Sequence, residues 1–435
     1  MAGPAIRAWN IARVLGSENE VVLLTTTRLE PVEAPFRLDC VQPGENAKFA
    51  ALHEWADVVV FQGHALDQFE ALRTSAKVLV ADIYDPMHLE MLEQGRELGR
   101  ATWELRVSTA TRVLNDQLAL ADFFLCASER QRLFYLGQLA GLGRVSPATY
   151  ENDPHLRGLL DVAPFGVPQE PPVHVRDAVK GVVPGIGADD RLLIWGGGLY
   201  SWFDPATLIR AVAQLAARRP DLRLFFLGTK HPGVEEMGIV RESFDLAREL
   251  GVLGSSVFFN ETWVEYADRQ NFLAEADAGV STHLSHLETT FSFRTRILDY
   301  LWAGLPMVVT EGDSFAELVE SEGLGVVVPA QDIAALEGAI DRVLYDDDFS
   351  AASRRNVERV REEFVWERVL APLVEFVRVP RKAADHAQGR IDRSRGGKRR
   401  KPYGFRHDVR MFAHYWKADG LSGAVRRVAG RLRRG

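Results

Sequence analysis

Two doubly wound α/β domains with parallel sheets, facing each other across a cleft and followed by a basic tail, form the architecture this sequence predicts. Three observations carry that expectation. Short, wholly apolar runs alternate with stretches of helical periodicity, the signature of parallel strands buried on both faces. The alternation breaks off in a proline-rich stretch, 164–190, and starts again after it. At roughly 100 to 200 residues per domain, 435 residues are too many for one ordinary core and suit two.

In order, the first set of runs is VVLLT at 21–25, DVVVFQ at 57–62, KVLVAD at 77–82 and DFFLCAS at 122–128. The second is RLLIWGG at 191–197, LRLFFLG at 222–228, SVFFNE at 256–261, AGVST at 278–282, PMVVT at 306–310 and GVVVP at 325–329. Helices are expected between them at 205–218, 266–276 and 295–303. The domains are expected at 1–168 and 169–378, with a linker near 164–185 and a basic linker plus amphipathic tail at 379–435. The chain opens on a glycine and a helix, 5–15, where a doubly wound domain leads with a buried strand. Either a first strand upstream of Met1 is missing, which is the favoured expectation, or the first domain tolerates its loss.

Composition narrows the class. The chain is 46% hydrophobic and 26% charged, with no apolar run near the roughly 20 residues of a membrane-spanning helix. Its start lacks the charged, apolar and small-residue segments of a secretory signal, so the cytoplasm is the expected location. Cys40 and Cys126 stand in apolar settings without partners at metal-ligand spacing, and read as buried thiols.

In open parallel sheets a ligand sits beyond the carboxyl ends of the strands, which directs attention to the loops there. The strongest constellation is LETTFSFRTRILDYLWAGLPMVVT at 287–310. A helix begins just after Phe291, Ser292 and Phe293, with Arg294 and Arg296 at its start. Arginines are unfavourable at the positive end of a helix dipole, so their placement makes sense if a diphosphate sits between them. The competing reading pairs both with surface carboxylates. Asp299, three residues beyond Arg296, can accept the hydroxyls of a ribose; the plain alternative is a salt bridge to Arg296.

A second constellation, IWGGGLYSWFDPATLIRA at 194–211, ends a strand in Gly196, Gly197 and Gly198 and starts a helix at Pro205 behind the capping residue Asp204. Glycines at a strand end let backbone amides approach a phosphate, although a plain flexible turn would look the same. In the first domain Gly3 precedes a helix that would face the cleft. His64, Asp82, Asp85 and His88 all follow buried strands, so they line the acceptor side of the cleft. Asp85 stands first among them because Pro86 fixes the turn beside it, and with Arg296 it is taken as catalytic. The acidic run 346–348 reads as a solvated helix end, and no metal-binding motif is expected.

These residues resemble the retaining B-type-fold glycosyltransferases, specifically glycosyltransferase family four, over roughly residues 1–375. The resemblance rests on GPAIRAWNIARVL at 3–15, PFGVP at 164–168, the glycines at 196–198 and, most specifically, SFRTRILDYLWAGLPMVV at 292–309. It implies transfer of a sugar from a nucleoside diphosphate sugar with retention, needing no metal or other cofactor. Arg296 would contact the diphosphate, Asp299 the ribose, and 263–266, with Trp263 and Val264, would wall the base. Phe291 stands where the family has a glutamate, with Glu288 near enough to contact the donor sugar instead. Tyr200, Ser201, Trp202 and Phe203 stand where many members carry an arginine and a lysine, leaving the charge to Arg294 and Arg296.

From residue 381 onward 17 basic residues face 4 acidic ones, on a chain whose net charge is −8. Within 405–435, Leu421, Val425, Val428 and Leu432 recur at helical spacing among arginines. That pattern suits an anionic membrane surface, the inner face of the plasma membrane, and so a glycan or lipid-linked acceptor in cell-surface polysaccharide or glycolipid synthesis. Docking on the acidic body is an alternative, and nucleic acid is not an expected partner. The competing functions are a nucleotide-sugar epimerase and a catalytically inactive, glycosyltransferase-like binding subunit.

Overall fold

The computed structural model describes residues 3–29, 32–229 and 238–387. Its strands are β1 (Val22–Thr25), β2 (Arg37–Cys40), β3 (Val58–Phe61), β4 (Val78–Asp82), β5 (Phe123–Cys126), β6 (Leu160–Val162), β7 (Arg191–Gly198), β8 (Leu222–Gly228), β9 (Val257–Phe259), β10 (Ala278–Ser281), β11 (Met307–Thr310) and β12 (Gly325–Val328). Helices separate most of them, and every pairing between named strands is parallel. The two-domain α/β expectation holds. Ten strands fall where the apolar runs lie, whereas β2 and β6, short and partly polar, carried no such signal.

The second sheet has the order β12-β11-β10-β7-β8-β9, so its first strand lies in the middle and the chain winds outward from it in both directions. The crevice between β7 and β10 is the switch point at which such sheets bind ligands. Four strands of the first domain form β3-β4-β5-β6, with β1 and β2 a separate pair. Asp204 accepts the Thr207 amide (3.0 Å) as cap of the helix Pro205–Ala216, as its position before proline predicts. Asp346 starts the helix Asp347–Arg361 in the same way (3.0 Å to the Phe349 amide), so the exposed 346–348 run favours a helix N-terminus. Cys126 is buried, but Cys40 is only half-buried.

The segment after residue 362 crosses back to the first domain. Val365 bridges to Val167, and the Trp366 ring, 1% exposed, packs 4.8 Å from that of Phe165. Phe376 stacks on Phe123 at 4.2 Å. The stretch expected to be a linker from 379 stays docked there through residue 387. Arg144 and Asp385 form a buried ion pair at 2.5 Å, while Asp122 accepts from Lys382 (3.0 Å) and His386 (2.9 Å). Physically, 365–387 belongs to the first domain. Residues 405–435, on which the membrane expectation rests, lie outside the described residues. Among the described residues no helix is long and apolar enough to cross a membrane.

Candidate active site

β7 delivers its three glycines to the switch point. Gly197 is exposed with φ +81°, a left-handed conformation that disfavours any side chain even where space is open. Beneath this loop runs the helix Thr295–Trp302. The Tyr300 hydroxyl accepts the Gly196 amide at 2.9 Å, and Arg296 Nη2 donates to the Gly198 carbonyl at 2.8 Å. The Arg296 guanidinium is 7% exposed and lies 4.2 Å from the centre of Trp195 and 3.9 Å from that of Phe203. Its Nη1 has no hydrogen-bond partner among the described residues, and burial brings its pKa down to about 10. A buried cation supported by aromatic faces and a carbonyl, with a donor unused, can accept an anion. The alternative reading, a salt bridge from Arg296 to Asp299, does not form among the described residues.

Asp299 turns instead to Arg269, whose Nε donates to it at 3.0 Å. Arg269 is fixed by the Tyr266 carbonyl (2.7 Å) and by the rings of Tyr266 (3.5 Å) and Trp302 (4.4 Å). The half-buried Asp299 is thus oriented at the rim of the crevice. Of the residues beside it, Val264 is half-buried against the main core, whereas Trp263 is 40% exposed with its Nε1 on Glu265 (3.0 Å).

Arg294 departs from the diphosphate role. It grips Glu288 in a bidentate pair (3.0 and 2.7 Å), both side chains 5% exposed. The competing reading pairs both arginines with surface carboxylates; only Arg294 is paired, and with the buried Glu288, because a desolvated guanidinium needs a countercharge beside it. Phe291 also departs from the donor set. Its ring packs 4.4 Å from that of Phe134 in the first domain, and its carbonyl accepts from Gln131 Nε2 (2.8 Å). It closes the domain interface. Ser292 is buried with its hydroxyl on the Thr289 carbonyl (3.2 Å), and Phe293 packs against Phe315 at 4.5 Å.

Across that interface Asp85, Glu90 and Glu288 share a poorly solvated space. Burial, then Glu288, pushes Asp85 up to about 6. Burial, then Asp85 and Glu288, pushes Glu90 up to about 8, with Arg294 opposing. His88, stacked on Phe134 at 5.6 Å, is brought down to about 4 by burial and is neutral at pH 7. For both raised carboxyls the folded state holds its proton more tightly than the unfolded state. Their contribution therefore favours folding at low pH and falls as pH rises from about 5 to 8. We predict that Glu90→Gln flattens this decline and raises stability at pH 8, because the side chain then has no proton to lose. An unchanged pH dependence of the melting temperature refutes that account.

Three first-domain candidates change meaning. Asp82 is 3% exposed and fully occupied: Arg7 donates to both its oxygens (2.7 and 2.8 Å), and Gln62 adds a bond at 2.9 Å. It is a structural latch, because the buried Arg7 needs a countercharge and the end of β4 supplies it. The His64 side chain is 50% exposed, 4.0 Å from Asp67 in a surface network with Arg73 and Arg112, so it is a solvated loop residue. Gly3 begins its helix, Gly3–Leu15, with open space around it. Sequence reasoning missed Arg269, Trp195, Gln131 and Tyr300. Only Tyr300 left a trace, one helical turn after Arg296.

Most of the buried polar side-chain atoms without a hydrogen bond gather in one place. Among the described residues, Asp204 Oδ2, Ser281 Oγ, His283 Nε2, His286 Nε2, Arg294 Nε, Arg296 Nη1 and Ser314 Oγ make no hydrogen bond and lie near the carboxyl edge of β7, β10 and β11, although His283 Nε2 and Arg294 Nε stand 3.5 and 4.0 Å from Asp313; other such atoms, on His88, Tyr135 and Arg361, lie elsewhere. Buried polar atoms grouped in this way are available to a ligand. His174, Asp177 and Glu275 bring metal-type ligand atoms within 4.8 Å of one another elsewhere. Both Glu275 oxygens, however, already accept amides of Ala178, Val179 and Lys180 (2.6 to 2.8 Å), which makes Glu275 a loop anchor.

Residues 190–346, the body of the second domain, match the family of glycosyl transferases group 1. D-inositol 3-phosphate glycosyltransferase of Saccharomonospora viridis is 29% identical over 196 residues, 45% of this chain and 44% of that protein. The chain thus aligns with less than half the length of that curated relative. Among solved structures, sucrose-phosphate synthase of Thermosynechococcus elongatus superposes with a TM-score of 0.61 at 18% identity, covering 87% of this chain and 93% of the other. HepE of Anabaena, in complex with UDP and glucose, gives 0.62 at 15%, covering 87% and 96%. The fold is the two-domain fold of these proteins, the B-type glycosyltransferase fold, and its second domain matches the model of the group 1 glycosyl transferases.

Proposed function

We propose that the protein transfers a sugar from a nucleoside diphosphate sugar to a glycan or lipid-linked acceptor, with retention at the anomeric carbon. The observation that carries this reading is the buried Arg296 cation, without a carboxylate, beneath a glycine loop at the switch point. The diphosphate lies against the loop and the start of the helix Thr295–Trp302, where amide donors and the helix dipole favour negative charge. Asp299, steadied by Arg269, takes a ribose hydroxyl, and 263–266 flanks the base. Glu288, held by Arg294, accepts a hydroxyl of the donor sugar. In the reaction the bond from the anomeric carbon to the diphosphate oxygen breaks, and one to the acceptor oxygen forms on the same face. The acceptor proton passes to Asp85, whose pKa near 6 suits a general base. Stabilising the departing diphosphate is the main demand, and preorganised donors supply about 3 kcal/mol each. No metal is required. HepE, on the same fold, holds UDP and glucose. The basic composition of 405–435 supports attachment of a cytoplasmic enzyme to an anionic membrane surface bearing such an acceptor.

A second reading, a binding subunit without turnover, is favoured by Phe291 serving as an interface residue. Calorimetric titration of the chain with UDP, GDP and ADP, and turnover of their common sugars, separates the two. We expect one diphosphate to bind and Asp299→Ala to weaken it by about 1 to 3 kcal/mol. Binding without any donor hydrolysis or transfer supports the subunit, and no binding at all defeats both.

A further inference from the structure

We propose that the helix Thr295–Trp302 sets the shape of the glycine loop from below, with Tyr300 and Arg296 as positioning residues that hold the backbone on either side of Gly197. The inference rests on the donor-site reading above and adds how the loop is held.

The Tyr300 ring occupies a slot made for it. A Cβ on Gly279 would lie 2.4 Å from the ring, and one on Gly196 3.3 Å from it, so glycines of β10 and β7 leave the space that the ring fills. The side chain is 0% exposed. Its hydroxyl oxygen accepts the Gly196 amide (2.9 Å), and its hydrogen is shared between the carbonyls of Val280 (2.7 Å) and Ile194 (3.1 Å). One hydroxyl therefore joins β7 and β10 at the point where the sheet divides. Burial pushes its pKa up to about 12, so it remains a phenol that can donate.

Arg296, one turn earlier on the same face, fixes the other end of the loop through the Gly198 carbonyl at 2.8 Å. Between the two anchors the pairing with β8 slips register from Trp195 to Gly198, and Gly197 turns out to solvent at φ +81°. From the side, Gly228 of the neighbouring β8 confines the turn: a Cβ there would come within 2.8 Å of the Gly197 carbonyl. The loop is held at its amide end, its carbonyl end and its β8 side, leaving its outer face to the ligand. Backbone donors for a phosphate need placement to about 0.5 Å, which a three-glycine run cannot hold by itself. The loop's flexibility is thus removed by side chains rather than by its own sequence.

The test uses the full chain with UDP, GDP and ADP as probes in calorimetry, together with donor and acceptor KM and kcat. Tyr300→Phe keeps the ring in its slot and removes only the hydroxyl. We expect the bound diphosphate to weaken about tenfold, the loss of one buried hydrogen bond, with acceptor KM unchanged. Arg296→Gln retains an N–H for the Gly198 carbonyl, whereas Arg296→Met does not. Positioning predicts that Gln recovers part of the affinity that Met loses, the remainder being the charge that both lack. Unchanged affinity in a folded Tyr300→Phe, or equal losses in Gln and Met, overturns the proposal, the latter by showing that Arg296 acts through its charge alone and not by holding the loop. If Tyr300→Phe does not fold, the Gln and Met pair decides alone. An unmodified chain that binds none of the three diphosphates refutes the donor-site reading itself, and the positioning role with it.

Discussion

Replacing Arg7 with methionine is expected to destabilise the first domain by about 3 to 5 kcal/mol, the largest effect of any single substitution proposed for this chain. Arg7 is 0% exposed and joins three parts of the fold: its own helix, Asp82 at the end of β4, and the carbonyls of Ala163 (2.8 Å) and Pro164 (2.9 Å) where the chain leaves the first domain. Methionine leaves the Asp82 carboxylate in a desolvated place with only Gln62 to bind it. Asp82→Leu alone should cost a similar amount by stranding the guanidinium. The double variant should recover much of the loss, because a buried ion pair is replaced at low cost when both charges go together. Urea melts followed by a first-domain probe give the comparison. If Asp82 acts on substrate instead, Asp82→Asn will abolish turnover and leave the melt unchanged.

The second large effect is expected at Glu288. Glu288→Gln keeps the size of the side chain but removes the charge that strengthens its hydrogen bonds. We predict a fall in kcat/KM of roughly 10- to 100-fold, the worth of one charged hydrogen bond at the reacting sugar. Affinity for the nucleoside diphosphate alone should change little, since in the proposed binding mode that part of the donor meets the glycine loop and Asp299. The split between these readouts distinguishes a contact to the sugar from a general loosening of the site. Full turnover in Glu288→Gln would reduce Glu288 to a structural partner of Arg294, with which it makes its bidentate pair.

The sequence by itself determined the elements and their alternation, because buried parallel strands and amphipathic helices are written in local periodicity. The apolar runs at β3, β4, β5, β7, β8, β10, β11 and β12 could hardly be anything else, and the Asp204 cap and the glycine loop are equally local. From the order of strands alone, the carboxyl edge of the second sheet was the place to look. β2 and β6 escaped because four and three residues of mixed polarity show no period.

Only the tertiary structure decided which charge meets which. Arg7 and Asp82 are 75 residues apart, and Arg269 and Asp299 are 30 apart. Gln131 reaches Phe291 across 160 residues. No pattern in the chain announces such pairings, because folding makes them wherever a desolvated charge finds its nearest partner. That is why Asp82, a cleft candidate by position, became a latch, and why Arg294 turned to Glu288. Arg296 was recognisable as a cation at the start of a helix. That it packs against two adjoining aromatic rings, holding a backbone carbonyl with one donor unused, follows from burial, a property of the packed molecule.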